Sequence, residues 1–225
     1  SINVPLIKVS SGDVTNLPLL RHIGGIDLPV ILSTGMATLG EIEDAVNTLE
    51  QAGVKRKDIT LLHCNTEYPT PWHDVNLRAM ETLRRAFDVP VGYSDHTQGI
   101  ETACAAVALG AAVIEKHFTL DRNLPGPDHN ASLEPDELAS LVRSIRHIEL
   151  ALGSTRKMPT QSEMPNRAAA RRSLVAARRI MAGEAFGPQN VVPKRAGGGL
   201  SPMLWDQIVG RIARRDFFQD EPIEL

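Results

Sequence analysis

Cysteine, charge bias and long apolar runs are all scarce in this chain. Only two of its 225 residues are cysteine. Cys64 and Cys104 each sit inside an apolar stretch rather than in a close-spaced framework. That excludes a disulfide scaffold and points to a reducing compartment, read here as the cytoplasm. Lys and Arg number 24 against 27 Asp and Glu, a net charge of −3 with both signs mixed along the chain. Such a balance argues against a nucleic-acid-binding surface. No apolar run is long enough to cross a bilayer, and no secretory signal opens the chain. The initiator methionine is missing too, and SINVPLIKVSSGD enters a strand-like run almost at once. The expectation is the later part of a longer chain. The hydrophobic fraction of 42% and charged fraction of 23% are those of a globular protein with room for a sizeable core.

What is present is an alternation of short apolar runs with helical periodicities. VPLIKVS, LPVILST, ITLLHC, VPVGYS and AAVIEKHF read as strands. NLPLLRHIGG, GMATLGEIEDAVNTLEQAG, DVNLRAMETLRRAF and GIETACAAVALG read as the helices between them, and LEPDELASLVRSIRHIELALG as the helix after the last. Ile42, Val46 and Leu49 recur at helical spacing, and Leu77, Met80, Leu83 and Phe87 share one face of the third helix. The strands are continuously apolar, as parallel strands covered on both faces are. The fold class is therefore α/β, either a barrel or an open sheet. After Gly153 the composition turns polar and proline-containing. A boundary falls there: residues 1–153 form the αβ unit, 154–171 a linker, and 172–225 a small unit with β-like runs SLVAARRI, NVVPKRA and QIVGRIARRDF. At that size isolated stability is marginal, so docking on another surface is expected.

Polar residues gather where the strands end, which is where active sites of such folds lie. His96 and His117 are one strand–helix–strand step apart, so their side chains can converge. Two readings stand: a pair of metal-ligating imidazoles with coordination positions left for substrate, or a hydrogen-bonded histidine pair. Lys8, Ser11, Ser33 and Ser94 add one cation and three hydroxyls, a cradle for phosphate or carboxylate. Each hydroxyl alone also suits a loop start or helix cap. Cys64 follows His63, but strand neighbours point to opposite faces, so the two make a poor nucleophile–base pair. Cys104, in an Ala-rich helix, reads as packing.

Six stretches in order, IKVSSGD, ILSTGM, LLHCNTEYPTP, GYSDHT, IEKHFTLDRNLPGPDHNASLEPDEL and VPKRAGGGLSP, resemble the sialic acid synthase family, whose members make N-acetylneuraminate, legionaminate and pseudaminate. The resemblance implies a TIM-type (β/α)8 barrel lacking its first three βα units, followed by a small antifreeze-like (SAF) domain. It implies condensation of phosphoenolpyruvate with an open-chain N-acetylmannosamine-type sugar and release of phosphate. His96 and His117 match the family's metal ligands, usually for manganese. Lys8, Ser11, Ser33 and Ser94 match phosphoenolpyruvate contacts, and Thr66 stands where the family has an asparagine, with Asn65 beside it. Tyr68 and Asp128 match sugar-binding positions, and Glu115 matches an acidic position near the metal, a candidate proton carrier. Arg195 matches an arginine that reaches the partner's site in a domain-swapped homodimer, though Ala196 replaces the usual proline. Asp13 stands where some members have glutamate. Nothing in the resemblance implies nucleic acid or membrane as a partner, so the basic cluster at Arg171, Arg172, Arg178 and Arg179 reads as a solvated face or inter-domain contact. HCNTEYPTP and NLPGPDHNASLEP favour the neuraminate or legionaminate type over the pseudaminate type. The chain alone is expected to be poorly active. From another class, a non-catalytic fragment or antifreeze-like binding module stands as the alternative; a related aldol synthase is disfavoured by the small C-terminal unit and GYSDHT.

Overall fold

The computed structural model describes residues 4–225. It divides into two compact units, one ending at Gly153 and the other running from Ser154 to Leu225.

In the first unit β1 (Ile7–Val9), β2 (Val30–Ser33), β3 (Ile59–Cys64), β4 (Val91–Asp95) and β5 (Ile114–Lys116) form one parallel sheet in sequential order. The crossovers are α1 (Leu17–Gly24), α2 (Leu39–Ala52), α3 (Ala79–Phe87) and α4 (Glu101–Ala108), and α5 (Pro135–Leu152) follows β5. Sequential order with a helix after each strand is barrel-type winding. The helices start where their caps dictate. Thr38 and Glu41 form a reciprocal capping box at α2, and Glu134 and Glu137 another at α5, with Pro135 in its first turn.

One face of the sheet is mostly apolar. Val9, Val30, Leu32, Ile59, Leu61, Val91 and Tyr93 are buried against Leu20, Ile23, Ile42, Val46, Leu49, Met80, Leu83 and Phe87 of α1–α3. Alternate residues of every strand face the other way. On that opposite face Lys8 of β1 lies 3.4 Å from Glu115 of β5. Side chains of the first and fifth strands meet only if the sheet curls, so this is a half-barrel and the polar face is its concave side.

Helix α3 begins later than the periodicity predicts. Trp72–Asp74 form a 3₁₀ turn, and Asn76 takes a left-handed backbone (φ 52°), which breaks the helix before Leu77 can join it. Met80, Leu83 and Phe87 are buried as expected, with Leu77 packed at the margin.

The second unit holds α6 (Met164–Ala170), an antiparallel pair β6 (Ser173–Ala176) and β7 (Val191–Lys194), and α7 (Trp205–Ile208). The third β-like run departs from expectation. QIVGRIARRDF begins within α7, turns at Gly210 with φ 85°, and contributes only isolated bridges, Ala185–Ile212 and Ile180–Phe217. Leu174, Ala176, Ile180, Phe186, Val191, Ile208, Ala213, Phe217 and Ile223 form a core of the unit's own.

Candidate active site on the concave face

Strand register sets the site. Cys64, Ser94 and Glu115 are lateral neighbours across β3, β4 and β5. Because Leu61, Tyr93 and Ile114 pack on the helix side, these three point inward together. The same alternation turns Lys8 and Ser33 inward, next to helix-facing Val9 and Leu32.

A continuous polar chain results. Lys8 Nζ pairs with Glu115 Oε2, and Ser94 Oγ donates to Glu115 Oε1 at 2.7 Å. Ser94 Oγ also lies 3.3 Å from His96 Nε2. His96 Nδ1 lies 2.5 Å from the Asn65 carbonyl oxygen. That oxygen only accepts, so Nδ1 carries the proton and Nε2 keeps its lone pair. The Ser94 hydroxyl proton goes to Glu115, which leaves the lone pair of His96 Nε2 without a donor. Burial holds the His96 pKa below its ordinary 6.5, opposed by the Asn65 bond, so the ring is neutral near pH 7.

Tyr68 organises the two histidines. Its ring stacks on His96 with centroids 4.0 Å apart and meets His117 edge-on at 5.2 Å. His96 and His117 are 5.4 Å apart. Burial, then the neighbouring Cys64, Asp128 and Glu115, pushes the Tyr68 pKa up. Asp128 Oδ2 stands 4.0 Å from His117 Nδ1, beyond hydrogen-bond reach.

The serines form the other side. Ser33 is 3% exposed and its Oγ has no hydrogen-bond partner. Such a group is costly unless something else binds it. Ser11 Oγ accepts from Gly35 N at 2.9 Å and touches Cys64 Sγ at 3.2 Å. A Cβ on Gly35 would come within 2.7 Å of Thr66 Cγ2 and 2.9 Å of Ser11 Oγ, so only glycine keeps this corner open.

Lys8, Ser11, Ser33, Thr66, Tyr68, Ser94, His96, Glu115, His117 and Asp128 all belong to the first unit. Contacts link Lys8, Ser94, Glu115, His96, His117 and Tyr68 into one cluster; Ser11 and Thr66 meet at Gly35, with Ser33 on the same face. Arg195 is exposed on the turn after β7, in the second unit. Gly35, Cys64 and the Asn65 carbonyl escape residue-type reasoning. Strand alternation was the signal for Cys64, which lies inward with Ser94; nothing in the residue type of Asn65 marks its backbone oxygen.

These residues fit a divalent ion. His96 offers a neutral imidazole with a free lone pair, oriented by a carbonyl behind it, as metal-binding histidines are. Among the described residues no group of three or more His, Cys, Asp or Glu side chains is gathered for a metal. Two imidazoles would leave most coordination positions to solvent and substrate.

The NeuB family model matches residues 1–157 and the SAF domain model residues 171–225. N,N'-diacetyllegionaminic acid synthase of Campylobacter jejuni is 51% identical over 222 residues, covering 99% of this chain and 66% of that protein. The Legionella pneumophila protein of the same name is 46% identical, covering 93% of this chain and 60% of that protein. A solved structure of N-acetylneuraminic acid (sialic acid) synthetase from Leptospira borgpetersenii, in complex with citrate, superposes with a TM-score of 0.66 at 41% identity. It covers 75% of this chain and 59% of that one. The chain thus spans about two thirds or less of the length of these relatives.

Proposed function

Since the chain belongs to the NeuB family and ends in an SAF domain, we propose that it carries the phosphoenolpyruvate-condensing site of a nonulosonic acid synthase of the cytoplasm. In this reading phosphoenolpyruvate joins the aldehyde carbon of an open-chain N-acetylmannosamine-type sugar, and phosphate is released. The observation that carries it is the concave face itself: one cation, an unpartnered buried hydroxyl and an open neutral imidazole within one curled sheet.

Lys8 supplies the point charge for phosphate or carboxylate, Ser11 and Ser33 are hydroxyl donors, and Ser94 becomes one by turning its proton from Glu115 to the ligand. Thr66, against the Gly35 corner, borders the same ligand. Glu115 sits between Lys8 and Ser94 with both carboxylate oxygens engaged. In this reading it accepts a proton at the reacting centre and passes it back through Ser94. Tyr68 and Asp128 hold the sugar beside the histidines. His96 and His117 hold a divalent metal, manganese in this reading, which when bound supplies Lewis-acid polarisation of the aldehyde oxygen. Arg195 reaches the site of a second copy in a domain-swapped dimer and contacts the N-acetyl region. The Campylobacter and Legionella relatives favour the di-N-acetylated sugar of legionaminate synthesis over N-acetylmannosamine.

The test is phosphate release by the purified protein with phosphoenolpyruvate, Mn2+ and each sugar in turn, repeated with His96→Ala. Slow release that needs both sugar and His96 is expected, faster with the di-N-acetylated sugar. Release without sugar, or undiminished in His96→Ala, would refute the reading.

A further inference from the structure

The helix side of β4 and β5 carries a charged pair where the rest of that face is apolar. Asp95 and Lys116 are register partners, one step before His96 and His117. Lys116 Nζ donates to Asp95 Oδ2 at 2.9 Å, and the two side chains are 3% and 0% exposed respectively. Every other ion pair among the described residues keeps both partners at least 29% exposed.

A buried pair of this kind is poor evidence for stability, because desolvating two charges offsets most of their attraction and an apolar pair often serves as well. What it can supply is a fixed arrangement, and here three of its bonds converge on the residue after His96. Asp95 Oδ1 accepts from Thr97 N at 2.9 Å and from Thr97 Oγ1 at 2.8 Å, while Lys116 Nζ donates to the Thr97 carbonyl at 2.5 Å. Thr102 Oγ1 of α4 ties Asp95 Oδ2 to the helix layer at 2.9 Å. The Thr97 N–H is thus held by Asp95 of β4 and its carbonyl by Lys116 of β5. His96 precedes the clamp and His117 follows Lys116, so the pair fixes the two strand ends against each other.

We propose that Asp95 and Lys116 are positioning residues: their buried ion pair, on the helix side of the sheet, sets the separation of His96 and His117 on the concave side. The inference rests on the reading of those histidines as the metal site. Substrate never reaches the pair; its effect passes through the backbone at Thr97.

The test compares wild type, Lys116→Met, Lys116→Arg and the double variant Asp95→Asn with Lys116→Met, which buries no unpaired charge. Long-range 1H–15N spectra of the imidazoles report ring placement without metal, and the electron paramagnetic resonance signal of free Mn2+ reports affinity. In Lys116→Met and the double variant, the resonances of His96 and His117 should shift while those of His22 and His147 stay. Mn2+ affinity should fall 10- to 100-fold, the usual effect of losing a group behind a metal ligand. Lys116→Arg should recover most of both. Unmoved His96 and His117 resonances in the folded variants would overturn the proposal, and so would equal Mn2+ affinity across them. If Lys116→Met does not fold, the double variant decides. If wild type binds no Mn2+, the metal reading fails, and the imidazole spectra alone still decide whether the pair positions the rings.

Discussion

Ser33 separates a functional residue from a structural one by the sign of its effect. Its Oγ is buried with nothing to bond, so Ser33→Ala removes an unmet donor and should raise unfolding stability by about 1 kcal/mol. The same change should raise KM for phosphoenolpyruvate. Thermal denaturation with steady-state kinetics checks both, and a loss of stability would assign Ser33 to the scaffold. His63 carries the opposite kind of prediction. It points to the helix side, bonds the Val75 carbonyl at 2.8 Å, and burial holds its pKa below the ordinary 6.5. A depressed folded pKa means the unfolded chain binds the proton first. Stability is therefore full above pH 6.5 and lost as pH falls towards the lowered folded value. Urea midpoints at pH 7.5 and 5.5 should show this loss, and His63→Gln should show less of it. The residue types of Lys8, Ser33, Ser94, His96 and His117 made the site legible in sequence. The Asn65 carbonyl was not legible, because any residue has one and only the fold brings it to His96.

At the scale of elements, the strands and their order follow from continuous apolar runs separated by capped helices. The misreadings share one cause. In DVNLRAMETLRRAF and QIVGRIARRDF, side-chain pattern was read across a backbone interruption, at Asn76 (φ 52°) and Gly210 (φ 85°). A left-handed residue ends an element whatever the apolar spacing around it. Two helix glycines make a matched prediction about packing. A Cβ on Gly24 of α1 would overlap the Ala52 Cβ of α2, whereas one on Gly40 of α2 would meet nothing within 4 Å. Gly24→Ala should cost about 1–3 kcal/mol by forcing the helices apart. Gly40→Ala should stabilise by about 0.5–1 kcal/mol through lower unfolded-chain entropy. Chemical denaturation of the two variants side by side reads the difference.

For the whole molecule, a core held within each unit predicts two melting events. Phe217 is 2% exposed, packs edge-on against Phe186 at 5.7 Å, and belongs wholly to the second unit. Phe217→Ala should remove about 3–5 kcal/mol from that unit and leave the melting of the first in place. Calorimetry should show one transition shifted; a single transition that moves as a whole would mean one cooperative body. The curl of the sheet is legible in the family resemblance, which implies a partial barrel, but not in the residues themselves, since nothing in Lys8 or Glu115 announces that they meet across five strands.

The register of β4 and β5 has a consequence for how this sequence can drift. Ser94 with Glu115 and Asp95 with Lys116 are successive rungs facing opposite sides, so the inheritable unit there is the rung and not the position. A lone change at 95 or 116 that removes its charge strands the buried partner, and a one-residue insertion in β4 would present Asp95 to the concave face and turn His96 away. Neutral change can enter only as matched pairs, so descendants of this chain should vary at 95 and 116 together or hardly at all.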